Sequence, residues 1–145
     1  MNKQSRLNTR KDCLEQVKTM NIHQTISIKN ALDVITARMH VREVARRLGM
    51  NLSDQSRISL ATSSLAGALG LGVGLNNHAT GEIIIEGLDS EARKGLKVVC
   101  IRNNGDGYVP PASYFGNERW MVDEFEIDTP STDQVKITMI KWASI

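Results

Sequence analysis

The chain has 145 residues, 41% of them hydrophobic and 23% charged, and its 18 Lys plus Arg against 16 Asp plus Glu leave a net charge of +2. That length suits one domain, long enough to bury about two-thirds of its unfolded surface. The near balance of charge excludes a general affinity for nucleic acid or an anionic membrane and leaves only a local basic patch as a route to either.

Two cysteines, Cys13 and Cys100, stand far apart in ordinary globular sequence and read as reduced thiols of a cytoplasmic protein. Met1-Asn2-Lys3-Gln4-Ser5-Arg6 has no apolar run behind it, so secretion is not expected. Between Arg57 and Glu82 there is no Asp, Glu, Lys or Arg, a span long enough to cross a bilayer. It carries Ser59, Thr62, Ser63, Ser64, Asn76, Asn77, His78 and Gly67, Gly70, Gly72 and Gly74, which make it too polar and too broken for a lipid-facing helix.

In chain order, Leu14, Val17 and Met20 form a modest helical stripe, so residues 1–22 read as a helical extension before a single domain over 23–145. Gln24 to Ile28 alternates as a short strand. From Ala31 to Met50, Val34, Ala37, Val41, Val44, Ala45 and Leu48 recur at three and four residues and predict one sticky helix face, stopped by Gly49. Ser53 is placed to cap a second helix with Ile58, Ala61, Leu65 and Leu69 on its inner side.

Four more strands follow, Gly81 to Gly87, Leu96 to Arg102, Glu124 to Asp128 with Phe125 and Ile127 inward, and Gln134 to Trp142, with a short helix over Asn117 to Val122. Asn104-Gly105-Asp106-Gly107 signals a turn, and Pro110-Pro111 blocks an immediate helix. The order β, α, α, β, β, short α, β, β predicts an α+β two-layer sandwich, with an antiparallel or mixed sheet covered by helices on one face.

Asp54-Gln55-Ser56-Arg57-Ile58-Ser59-Leu60-Ala61-Thr62-Ser63-Ser64-Leu65-Ala66-Gly67-Ala68 resembles the nucleotide-site helix of the RsbT-like anti-sigma-factor serine/threonine kinases, members of the histidine-kinase-like (GHKL, Bergerat) ATPase fold. Lys94-Gly95-Leu96-Lys97-Val98-Val99, Asp123-Glu124-Phe125 and Lys141-Trp142 are similar to three further segments of that family, in the same order. The resemblance implies an ATP- and Mg²⁺-dependent scaffold whose helix carries a Glu as base and an Asn on the metal. Ser64 and Ala68 occupy those two positions here.

The family's adenine-binding D-x-G-x-G is matched by Asn103, Gly105 and Gly107, and its glycine-rich lid has no counterpart between Tyr108 and Val122. Loss of base, metal ligand and lid implies no catalytic residue, no cofactor and no metal, and a degenerate member that acts through protein–protein contact in a partner-switching circuit. Its partner would be a STAS-domain antagonist, a phosphatase, a sigma factor or a second copy. The alternative is an ATP-binding serine/threonine kinase in which Asn103 and Gly105 still hold adenine and another acid replaces Ser64.

Val44 to Met50 followed by Ser53 to Arg57 also resembles the start of a helix-turn-helix, a second alternative that lacks polar residues further along to reach base edges. Gly70-Leu71-Gly72-Val73-Gly74 follows a helix, the wrong context for a dinucleotide loop, and reads as a flexible connection. His23, His40 and His78 are scattered, with no partner at metal spacing. The aromatic cluster of Tyr108, Tyr114, Phe115 and Trp120, with Met121, either plugs the emptied nucleotide pocket or forms a partner contact at Tyr114, Phe115, Trp120 and Met121.

Overall fold

The computed structural model describes residues 18–72, 80–103 and 110–144. Its elements run β1 (Lys18–Ile28), α1 (Ala31–Arg47), α2 (Leu52–Ala68), β2 (Thr80–Asp89), β3 (Lys94–Asn103), a 3₁₀ turn (Ala112–Phe115), α3 (Gly116–Met121), β4 (Glu124–Ser131) and β5 (Gln134–Trp142). The strands form one sheet in the order β1-β2-β3-β5-β4, and every neighbouring pair is antiparallel.

Register puts the alternating apolar residues in rows. Ile26, Ile83, Cys100, Ile137 and Ile127 line up across all five strands, and Ile85, Val98, Met139 and Phe125 form the next row. Both rows face the core that holds Ala37, Val41, Val44 and Ala45 of α1 and Ile58, Ala61, Leu65 and Ala66 of α2. The 3.6- and 2-residue periods thus meet on one side of the sheet. Cys100 lies fully inside, where burial pushes its thiol up to about 12, and it acts as a small apolar residue.

The two long helices end in the same way. Leu48 and Leu69 are their C-caps, Gly49 and Gly70 follow at φ +83° and +76°, and the N–H groups of Met50 and Leu71 donate back to the carbonyls of Ala45 and Ala66 at 3.1 and 2.8 Å. This closing loop needs a left-handed residue, which glycine supplies without a Cβ penalty, and it seats Met50 and Leu71 in the core. Gly70 and Gly72 are therefore part of an ordered helix end, and Val73 and Gly74 lie outside the described residues.

Three expectations change. Asn51, and not Ser53, caps α2, its side chain accepting the Asp54 N–H at 2.8 Å. The stripe ending at Met20 does not continue as helix: β1 already begins at Lys18 and pairs with β2 from Lys18↔Asp89 onward, because the β2 edge offers ladder hydrogen bonds that a short local helix cannot match. The rest of that stripe, with Cys13, is outside the described residues. Finally, α2 cannot be a recognition helix, since Ile58, Ser59, Ala61, Thr62, Leu65 and Ala66 are buried in the core and only positions such as Ser56, Arg57 and Leu60 reach solvent.

Candidate functional site

Residues from three of the four family-like segments converge at one end of the sheet. Lys141, near the end of β5, reaches Asp54 in the first turn of α2 at 3.5 Å and Asp123, just before β4, at 3.3 Å. Asp54 also accepts the Ser144 N–H at 3.0 Å, Asp123 the Trp142 N–H at 2.6 Å, and Glu124 the Trp142 indole N–H at 2.9 Å. Burial opposes a charge on Asp54, yet the Ser144 N–H, the Ser144 hydroxyl and the Lys141 ammonium together outweigh it and hold the carboxyl below its ordinary value. The fourth segment joins by packing: a Cβ on Gly95 would collide with the Trp142 ring, and Arg93 lies over that ring at 4.6 Å.

The geometry at the supposed catalytic positions is different. Ser64, halfway round the α2 surface, donates its hydroxyl to Glu118 Oε1 at 3.0 Å. Glu118 belongs to α3 and is only 4% exposed, so a carboxylate from a remote segment lies against the helix position where the family-like pattern has its own. Phe115, at the end of the 3₁₀ turn, is fully buried and packs on Phe125 with ring centroids 5.7 Å apart. Phe115 and Glu118 are three residues apart, one helical turn, and together they pin the segment down on α2 and β4. Ala68 is half-buried against the core and offers a methyl group only.

No protein-family model matches the chain. It is 31% identical to the serine/threonine-protein kinase RsbT of Bacillus subtilis (strain 168), over 85% of this chain and 98% of that protein. The chain belongs to the RsbT family. The resemblance carried by the α2 helix and the three short segments is thus supported along most of the molecule.

Within this RsbT-family chain, the remaining sequence-predicted residues divide. Asn103 ends β3, where its side-chain oxygen accepts from Gln134 Nε2 at 2.7 Å; Gly105, Gly107 and Tyr108 lie outside the described residues. Of the residues expected at a partner contact, Tyr114 is 59% and Trp120 88% exposed. Phe115 is not part of any such surface, because its ring is consumed by the core, and Met121 is half-buried against the same core. One short segment thus turns Phe115 inward and leaves Tyr114 and Trp120 in solvent.

Glu118 is the residue the sequence reading missed. Its signal was present: it is the only acid between Asp106 and Asp123, and it falls one turn after an aromatic residue and one turn before Met121. Among the described residues no three His, Cys, Asp or Glu side chains cluster as metal ligands, and no helix is long and apolar enough to cross a membrane.

Proposed function

We propose that this RsbT-family chain regulates by binding other proteins and not by transferring phosphate, on a histidine-kinase-like ATPase sandwich that has lost its chemistry. The carrying observation is the contact between Ser64 and Glu118. Where the family-like pattern has a Glu facing substrate, this chain has a hydroxyl already engaged by α3, and Phe115 of the same segment is buried against Phe125 of β4.

Ala68 adds to the case, since a methyl group gives a magnesium ion no oxygen, so the residues at these two positions do not fit a metal-bound nucleotide. Phosphoryl transfer depends almost entirely on positioning and charge neutralisation. Loss of a general base alone costs about two to four decades in rate, and the metal ligand and lid are lost with it. A cytoplasmic partner-switching circuit is the natural setting, with a STAS-domain antagonist, a phosphatase, a sigma factor or a second copy as the partner.

Calorimetric titration with ATP and Mg²⁺ tests this. The expected result is no binding tighter than about 100 µM, which corresponds to roughly 5 to 6 kcal/mol; tighter binding overturns the reading.

One observation favours a second reading, in which the buried Glu118 carboxylate replaces the missing base and a weak kinase remains. Transfer of labelled γ-phosphate to a protein substrate would then occur and fall at least about a hundredfold in Glu118→Gln. Absence of transfer in the unaltered protein removes this second reading.

A further inference from the structure

We propose that the outward side of the 3₁₀ turn and α3 is a docking site for an acidic, apolar segment of a protein partner. This deepens the reading of the chain as a binding regulator and rests on it. Ala112, Ser113, Gly116, Arg119 and Trp120 line a hollow of about 350 Å³, within the lower range of pockets that take a ligand group. Trp120 stands over it at 88% exposure with Tyr114 nearby in the same segment. An indole is among the residues most often found at the energetic centre of protein contacts, and leaving one in water while Phe115 of the same segment is fully buried marks the outer side as available.

The charge pattern selects the partner. The single acid of the segment, Glu118, is turned inward onto Ser64. Arg119 faces out, makes no ion pair with any described residue, and rests its guanidinium over the Phe125 ring at 5.8 Å. Of the nearby acids, Glu124 accepts from the Trp142 indole, and Glu126 lies on the face of β4 opposite Phe125 by strand alternation. The surface is thus a cation beside an aromatic hollow. A carboxylate next to a large apolar side chain satisfies both, whereas one arginine in a chain of net charge +2 gives a nucleic-acid strand no phosphate track.

The docking site and the interior share one element. Each residue lining the hollow lies within three positions of Glu118 or of Phe115, the two residues that fix the segment on its inner side.

Selection of displayed random short peptides against the full-length protein tests the proposal. Enriched sequences are expected to combine Asp or Glu with Leu, Phe or Trp, and the synthetic peptides are expected to bind at least about tenfold more weakly to Trp120→Ala and to Arg119→Glu. Met39→Ala, on an exposed part of α1, is expected to leave binding unchanged. Basic peptides, no enrichment, insensitivity to Trp120→Ala, or a dT oligonucleotide bound through Trp120 would each overturn it. The ATP titration reports on the parent reading independently: silence there with no peptide enrichment removes this docking site alone, and tight ATP binding removes the parent reading.

Discussion

Lys141→Ala is expected to destabilise the protein by about 3 to 5 kcal/mol, the usual cost of removing one member of a buried ion pair. For a domain of this size that lowers the melting temperature by on the order of 10 °C. Lys141 is 7% exposed and its ammonium is shared by Asp54 and Asp123. Most of the loss comes from Asp54, which remains buried with its charge, while the half-open Asp123 is screened by water and contributes less.

The pH dependence has a definite sign. Because Asp54 is held below its ordinary value of 3.8 in the folded state, its contribution is fully present above that value and is lost as pH falls through the depressed folded value. The difference between wild type and Lys141→Ala should therefore be largest near neutral pH and shrink once the medium is more acidic than 3.8. Thermal unfolding of both proteins at neutral and strongly acidic pH checks this; a difference that stays constant would show that Lys141 matters through packing of its stem and not through charge.

Phe115→Ala is expected to cost a further about 3 to 5 kcal/mol, typical of emptying a fully buried phenylalanine site. The ring is fully enclosed, contacts Tyr114 edge-on at 5.4 Å and Phe125 at 5.7 Å, and is the apolar anchor of the 3₁₀ turn and α3. Denaturant unfolding gives the magnitude. A loss below about 1 kcal/mol would mean that the segment swings free of the core, and the account of Ser64 as a position closed off by α3 would fall with it. Trp120→Ala in the same experiment should change stability by no more than about 0.5 kcal/mol, since that side chain is in water.

Both variants act on contacts between segments distant in sequence, and this separates what was legible from what was not. The inner face of α1, from Val34 to Leu48, and that of α2, from Ile58 to Leu69, could be read directly, because a helix repeats every 3.6 residues and apolar residues at that spacing have only one way to leave water. The alternation in β2, β3, β4 and β5 was equally plain, as was Gly49 as a stop. The likeness to the RsbT family lies in the α2 motif itself and needs no tertiary contact to be seen. Local chemistry between neighbours was less secure: Asn51 and Ser53 are both competent caps, and only the path of the chain after Met50 chose Asn51.

The beginning of β1 at Lys18, the meeting of Lys141 with Asp54 and Asp123, and the arrival of Glu118 at Ser64 belong to the tertiary structure alone. Ser64 and Glu118 are 54 positions apart, with β2 and β3 between them. No periodicity spans such a distance. Likewise the aromatic cluster announced itself in the sequence, but only packing against α2 and β4 could send Phe115 inward and leave Trp120 outside, because a six-residue helix has too few turns to declare its buried side before it meets a neighbour.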